Sequence, residues 1–488
     1  MFFLGNYLIV LTPEGVSMSK LFYRPQDAVV GDVIPTFFNG EFRLFYLQLW
    51  RLPDQPDSGP DWYQIGTTDF VNFHEYGPCH IVGGTGAVIE RDGLYHLFYC
   101  VFPEGRQVIC HATSPDLLHW TQIPAHDFEP DPVYYDVPDW RDPAVFWNEE
   151  EGLYWMLIAA RSHSPYNRSG CVGLCVSTDL ESWTARPPLY APDLYTSALE
   201  CADLFQIGDW WYLIYSTYSD RFVTHYRMAR SPKGPWLTPA EDTFDGRAFY
   251  AAKTASDGQR RYLFGWNPTR TEDLFGWNPP VYAGRDFNTW DWGGNLIVHE
   301  IVQNWDGTLG VRLPDSVAAR FGQAQPVALQ PLLGQWRKTK HGHSISSPQG
   351  FAAATVGELP DTCLISAHLR FGPGTRRLGI ILRASSGLDQ GYTIQVEPDR
   401  NRVILKSYPF PDEHGGKMPP TEVEIERPLR LRAGHTYHVK LIVGGTIGEL
   451  YIDDQVAMSF RMYDLSAGQL AFFVADGKAR FGNISIKI

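Results

Sequence analysis

A turn followed by an aromatic-rich apolar strand recurs five times in the first 264 residues. The copies are Asn39-Gly40-Glu41-Phe42-Arg43-Leu44-Phe45-Tyr46, Asp92-Gly93-Leu94-Tyr95-His96-Leu97-Phe98-Tyr99 and Glu151-Gly152-Leu153-Tyr154-Trp155-Met156-Leu157-Ile158. Gly208-Asp209-Trp210-Trp211-Tyr212-Leu213-Ile214-Tyr215 and Asp257-Gly258-Gln259-Arg260-Arg261-Tyr262-Leu263-Phe264 complete the set. Their glycines stand at 40, 93, 152, 208 and 258, separated by 53, 59, 56 and 50 residues. Asn-Gly and Asp-Gly ahead of β-branched or aromatic residues are hairpin signals, and self-similarity at this period marks a propeller or solenoid. A second repeat runs half a unit later: Thr67-Thr68-Asp69-Phe70-Val71-Asn72-Phe73, Ser114-Pro115-Asp116-Leu117-Leu118-His119-Trp120 and Ser177-Thr178-Asp179-Leu180-Glu181-Ser182-Trp183. These segments read as turns closing outer hairpins, with the final aromatic packed between blades. Four strands fit each unit, so five units make five blades. No amphipathic helix of a dozen residues precedes residue 312, which argues against a helical repeat and against the crossover helices of a parallel α/β sheet.

Beyond residue 312 the pattern stops. Residues 313–335 hold Pro314, Pro326, Pro331 and a Gln/Ala-rich run, the composition of a linker with about one helical turn. From 336 to 488, short alternating runs such as Tyr392-Thr393-Ile394-Gln395-Val396 and Gln469-Leu470-Ala471-Phe472-Phe473-Val474 are separated by Gly, Pro and Asp clusters. Short strands at this spacing predict a β-sandwich. The expected fold is therefore all-β: a five-bladed β-propeller over 1–312, a linker over 313–335 and a β-sandwich over 336–488.

Charged residues are 20% and hydrophobic residues 44%, enough apolar content for a sizeable core. The net charge of −14 argues against nucleic acid, which demands a basic surface. No run reaches the roughly 18 apolar residues of a membrane span. The apolar N-terminus lacks a basic n-region and a small-residue cleavage site, so a cytoplasmic protein is the expectation and a secreted one the alternative. Met18 is a second candidate start. Seven cysteines, scattered and odd in number, fit reduced thiols. Nothing in the sequence calls for a cofactor or a metal.

The hairpin glycines serve as rulers for the strand before each. Asp32 precedes Gly40 by eight residues, Thr85 precedes Gly93 by eight, and Asp142 precedes Gly152 by ten. Glu200 precedes Gly208 by eight, and Tyr250 precedes Gly258 by eight. If that strand lines the central channel of each blade, Asp32, Asp142 and Glu200 share one pocket. Packing alone does not gather mutually repelling acids. Glycoside hydrolysis does, because one carboxyl protonates the leaving oxygen while another attacks the anomeric carbon. A calcium site or a buried acid network is the competing account.

At these residues the chain resembles glycoside hydrolase family 32, the invertase, inulinase and levanase group. Trp140-Arg141-Asp142-Pro143 resembles its Arg-Asp-Pro motif, and Glu200-Cys201-Ala202-Asp203-Leu204-Phe205 resembles its Glu-Cys-Pro-Asp-Leu-Phe motif. Phe249-Tyr250-Ala251-Ala252-Lys253-Thr254, Phe264-Gly265-Trp266, Trp292-Gly293-Gly294 and Gly84-Thr85-Gly86 match further segments in order. The resemblance implies a propeller joined to a sandwich and a retaining mechanism with a fructosyl-enzyme intermediate. It implies Asp32 as nucleophile, Glu200 as acid/base and Asp142 as the group that binds sugar hydroxyls and steadies the oxocarbenium-like state. It further implies that Arg141 holds Asp142 or a sugar hydroxyl, that Cys201 tunes Glu200, and that Tyr250 and Trp266 wall the fructose subsite. The chain departs from the family at Gly31-Asp32-Val33-Ile34-Pro35, which stands where the family has Asn-Asp-Pro-Asn-Gly, and at Gln48, one place later than the family's glutamine. An unusual fructoside, a fructosyl transferase forming or acting on difructose anhydrides, or another furanoside fits those departures. An arabinosidase-like propeller and a non-catalytic carbohydrate-binding propeller are the remaining alternatives.

Among single residues, Trp50 and Trp62 are expected in a loop where either could stack on a sugar. Asp139 is a rival to Asp142. Asp203 is expected on the opposite strand face as a partner within its blade, and His163 is expected near the rim.

Overall fold

The computed structural model describes residues 21–50, 61–269, 291–408, 425–463 and 465–488, with the backbone of 3–4, 7–12 and 15–19. The chain divides into two compact units. The first comprises Met1–Thr243, Phe249–Pro268 and Trp292–Leu309; the second comprises Phe244–Ala248, Thr269–Asp291 and Gly310–Ile488.

The first unit is a five-bladed propeller. Blade one is the antiparallel run Ala28–Phe38, Glu41–Trp50, Asp61–Thr67 and Asn72–Val82. Blade two is Gly84–Arg91, Leu94–Val101, Val108–Ser114 and Thr121–Gln122. Blade three is Tyr135–Asn148, Leu153–Ser162, Gly170–Ser177 and Thr184–Tyr190. Blade four has the strands Glu200–Ile207, Trp210–Thr217 and Val223–Ala229. Blade five has Tyr250–Ser256, Arg261–Thr269 and Asp291–Gln303, and its last strand meets blade one through Gly294 and Val30. That pairing ties late chain to early chain and closes the ring.

Aromatic and aliphatic residues at alternate strand positions pack between neighbouring blades, which is why the repeat is so rich in them. One apolar layer joins Phe45, Leu47 and Trp62 to Leu97 and Tyr99. A second joins Phe98 to Trp140, Met156 and Ile158, and a third joins Trp155 and Leu157 to Leu204 and Leu213. The half-unit repeat forms the expected turns. Asp69 Oδ1 accepts the N–H groups of Val71 and Asn72 at 3.0 and 2.7 Å. Asp116 does the same for Leu118 and His119, and Asp179 for Glu181 and Ser182. The turn drives Phe70, Leu117 and Leu180 into the left-handed region and buries them. The aspartate thereby compensates a conformation that bulky residues avoid.

The second unit is a β-sandwich. The strands Gly342–Glu358 and Gln469–Lys487 run beside each other along 17 and 19 residues. The first half of Gln469–Lys487 pairs with Arg377–Ala384 and the second half with Thr362–Phe371, so one strand serves both layers. Leu378, Ile380, Leu382, Leu441, Phe472 and Phe481 lie in the core between them. The segment expected as a linker carries a short helix, Asp315–Ala319, and the strands Gln325–Pro326 and Gln330–Leu333, which pair into this unit. No described helix is long and apolar enough to cross a membrane.

Asp69→Ala should lower the melting temperature by about 2 °C, because two backbone N–H groups lose their acceptor at a cost of about 1 kcal/mol. A thermal melt followed by circular dichroism measures it.

Candidate active site

The first strand of every blade is bulged at one level. Its pairing with the second strand skips between Gly31 and Ile34, Gly84 and Ala87, Arg141 and Ala144, Glu200 and Asp203, and Tyr250 and Lys253. The first skipped residues are Asp32, Thr85, Asp142, Cys201 and Ala251. Four of these have positive φ: 37° at Asp32, 56° at Asp142, 51° at Cys201 and 53° at Ala251. A bulge re-aims a side chain that a flat strand would point into a blade interface, and here all five do so together. The alignment refines the glycine ruler. Glu200 is equivalent to Arg141 and Tyr250, one place before Asp32 and Asp142. The ruler slips because Gly208 opens its two-residue turn, whereas Gly40 and Gly93 close theirs.

Trp266 donates its indole N–H to Asp32 Oδ1 at 3.0 Å, and Thr85 donates to the Asp32 carbonyl at 3.2 Å. Glu200 Oε1 accepts from Arg141 at 2.9 Å, and Oε2 accepts from the Tyr250 hydroxyl at 2.6 Å. Asp142 Oδ2 accepts the backbone N–H of Cys201 at 3.1 Å. The protein contacts differ from those expected. Of the two partners expected for Arg141, Asp142 or a sugar hydroxyl, Asp142 is not the one it bonds: Arg141 holds Glu200 and Asp139, and Cys201 contacts Asp142 where tuning of Glu200 was expected. The reason is the bulge: it turns Asp142 away from its neighbour Arg141 and presents the Cys201 N–H to it. Asp139, the rival acid, is buried between Arg141 and Arg161 at 2.5 Å from each.

Burial pushes the Asp32 carboxyl up to about 7, the Asp142 charge adds to that, and the Trp266 bond opposes it. Burial also raises Glu200; the Arg141 charge opposes it, Asp142 reinforces it, and the Tyr250 bond opposes it. Three carboxyl groups and two buried cations, Arg141 and Lys253, thus occupy the axis, and one proton makes the cluster neutral.

Lys253 was not singled out as a site residue. Its ammonium donates to the Gly86 carbonyl at 2.6 Å and reaches the Pro143 carbonyl at 3.5 Å. Those carbonyls belong to the bulges of blades two and three, so one side chain from blade five ties three blades at the level of the acids. The available signal was a lone lysine in the otherwise small and apolar run Ala251-Ala252-Lys253. Phe222 stacks on Tyr250 with centroids 3.7 Å apart, and Trp292 packs 6.0 Å from Trp266. A Cβ on Gly31 would sit 2.1 Å from the Trp292 ring, so glycine there makes room for the indole.

Other expected residues lie elsewhere. Trp62 is on the strand Asp61–Thr67, fully buried between blades one and two, with its N–H on the Gly84 carbonyl at 3.1 Å. Every face of its ring is used in packing, so it does not stack on sugar. Gln48 is buried, and its side-chain oxygen accepts the Tyr46 hydroxyl at 2.9 Å in a network with Tyr23 and Glu75. Trp50 ends the strand Glu41–Trp50 and meets Tyr63 edge-on. Asp203 accepts the Leu204 N–H of its own strand through Oδ1, and through Oδ2 it accepts both the N–H and the hydroxyl of Thr254, joining blades four and five. His163 is exposed against Asp136 and Pro132.

The ring of bulges brings Asp32, Asp142 and Glu200 to one level of the propeller, the gathering of carboxylates expected of a glycosidase. The comparisons agree. Residues 127–297 match the glycosyl hydrolases family 32 N-terminal domain. Over 465 residues the chain is 25% identical to a sucrose-6-phosphate hydrolase of Escherichia coli, covering 88% of this chain and 85% of that protein. It is 26% identical to a raffinose invertase of Escherichia coli, covering 91% and 89%. The fold superposes on fructan 1-exohydrolase IIa from Cichorium intybus with a TM-score of 0.71 at 14% identity, covering 96% of each chain. The chain thus carries a match to the glycosyl hydrolases family 32 N-terminal domain, and over most of its length it is similar to hydrolases of the fructoside-acting class.

Folded Asp32 keeps its proton to about pH 7, whereas an unfolded aspartate releases it near 4. Between those values the folded state binds more protons, so this group's contribution to stability falls as pH rises from about 4 to 7. Asp32→Asn should therefore raise the melting temperature, with a larger gain at pH 8 than at pH 5. Equal gains at the two values would contradict the raised carboxyl.

Proposed function

We propose that the chain is a retaining β-fructofuranosidase in which Asp32 attacks the anomeric carbon, Glu200 acts as acid and then base, and Asp142 steadies the transition state. The observation that carries this reading is the differential anchoring of two acids on the inner strands of blades one and four. Asp32 is oriented by the neutral Trp266 N–H, which leaves its other oxygen for attack. Glu200 is oriented by Arg141 and Tyr250 through separate oxygens, a cradle that suits a group alternating between proton donor and carboxylate. In the first step Glu200 gives its proton to the leaving oxygen while Asp32 forms the fructosyl ester. In the second, Glu200 takes a proton from water and the ester is hydrolysed. Asp142, fixed by the Cys201 N–H, contributes negative charge where the sugar becomes positive. Tyr250, Phe222, Trp266 and Trp292 supply an apolar wall for the furanose ring. The wall, with Gly31-Asp32-Val33-Ile34 in place of asparagine-flanked acid, favours a fructoside other than sucrose. The curated relatives' names and the carbohydrate-bound neighbours, among them fructan 1-exohydrolase IIa in complex with 1-kestose, support a sugar substrate.

Asp32→Ala and Glu200→Ala should each lower turnover by at least about a thousandfold. Glu200→Ala with an activated fructoside should accumulate an enzyme heavier by one fructosyl unit. Wild-type rates in both variants, or inverted product by NMR, would refute the assignment. Product analysis on sucrose, inulin, levan and difructose anhydrides then identifies the fructoside and separates hydrolysis from transfer.

The acid limb of kcat/KM in the free enzyme should fall near pH 7, because Asp32 must be ionised to attack. Lys253 lowers that value, so Lys253→Met should shift the limb to higher pH. A limb that stays in place would remove Lys253 from this role.

A further inference from the structure

The sandwich carries a row of cations that no acid meets among the described residues. Arg337 pairs with Ser344, Ser344 with Arg480, and Arg480 with Arg370, each directly across adjacent antiparallel strands. Directly paired residues share a face, so the four side chains stand in line over about 14 Å, three strand spacings. Lys478 lies two residues before Arg480, beside the row, and Ser346 pairs with it. This face lines an open cleft of about 880 Å³ that includes all four cations and no Asp or Glu. Among the described residues none of Arg337, Arg370, Lys478 and Arg480 forms an ion pair; Arg480 donates to the Ser344 hydroxyl at 3.4 Å.

Two features make the arrangement informative. Like charges directly opposite on neighbouring strands destabilise a sheet, and Arg370 against Arg480 is such a pair. Moreover, the chain has 55 acidic residues against 41 basic ones, so a cleft lined by four cations alone runs against the composition. Elsewhere in the same sandwich arginines are paired: Arg402 holds both Glu397 and Glu426 at 2.6 Å.

We infer that this cleft binds a small phosphomonoester, with the dianion seated between the guanidinium groups of Arg370 and Arg480. Two guanidinium forks about 5 Å apart at their Cβ atoms suit a tetrahedral dianion. Arg337 and Lys478 flank that position, and the Ser344 and Ser346 hydroxyls can hydrogen-bond the organic part of the ester. The cleft volume exceeds one phosphate and leaves room for a sugar. A long polyanion is disfavoured, because beyond the cleft it would meet a protein of net charge −14. The inference concerns a face separate from the catalytic bulges and does not rest on their proposed roles.

Isothermal titration calorimetry on the full chain at about 0.15 M salt tests it with glucose 6-phosphate, glucose, inorganic phosphate and heparin as probes. Glucose 6-phosphate should bind, glucose should not, and inorganic phosphate should bind more weakly. Arg370→Gln/Arg480→Gln should weaken glucose 6-phosphate at least about tenfold while leaving fructoside turnover unchanged. Should that double variant fail to fold, the single change Arg337→Gln at the end of the row should weaken binding severalfold. No binding to the wild type, or undiminished binding in the variants, overturns the site. Inorganic phosphate binding as tightly as the ester, or heparin binding more tightly, overturns the assignment to a phosphomonoester.

Discussion

Three carboxylates that repel one another stand at the axis of the propeller, and the rest of the domain is arranged around keeping them there. Isolated buried carboxylates would take up protons or expel one another. Arg141 and Lys253 oppose that, the first through Glu200 and Asp139, the second by reaching from blade five to the carbonyls of blades two and three. Lys253 supplies charge and a mechanical tie in the same bond. Burial is the larger cause and the Asp142 charge adds to it, so Asp32 and Glu200 are both pushed above the ordinary carboxylate range.

The bulges turn this electrostatic arrangement into geometry. A regular strand alternates its side chains between two blade interfaces, both apolar. One extra residue per inner strand breaks the alternation at a single level and aims Asp32, Asp142 and the Cys201 N–H at the channel. Left-handed backbone at these positions stores strain, which closed packing between blades holds in place. The Thr/Ser-x-Asp turns at the periphery show the same economy, with an aspartate satisfying the N–H groups that a left-handed residue exposes. The sandwich treats charge differently: its Arg337, Arg370 and Arg480 are aligned on one sheet face without a counter-ion among the described residues.

Much of this architecture was legible along the chain. Turn chemistry and aromatic strands recurring at 50 to 59 residues specify blades, because each copy must bury its apolar side chains against the next. The acid-bearing motifs around Asp142 and Glu200 stood at recognisable places in that repeat. Trp62 was misplaced because periodicity stops short of telling a strand tryptophan from a loop tryptophan when Pro, Asp and Gly crowd just before it. The contacts of Arg141 with Glu200 and of Cys201 with Asp142 were not legible, because the resemblance carries residue roles along the chain while the bulge decides which groups meet.

The sequence by itself determined the all-β class, the five repeats, the sandwich that follows and the acids available for chemistry, since local turn preference and period-two burial are properties of short segments. Only the tertiary structure decided which donor holds which acid, that Glu200 lies one place out of step with Asp32 and Asp142, and that Lys253 joins three blades at their level. It alone also aligned Arg337, Arg480 and Arg370, which are up to 143 residues apart in the chain. The reason is register: a one-residue shift leaves composition and periodicity untouched, yet it turns a side chain to the opposite face of its strand.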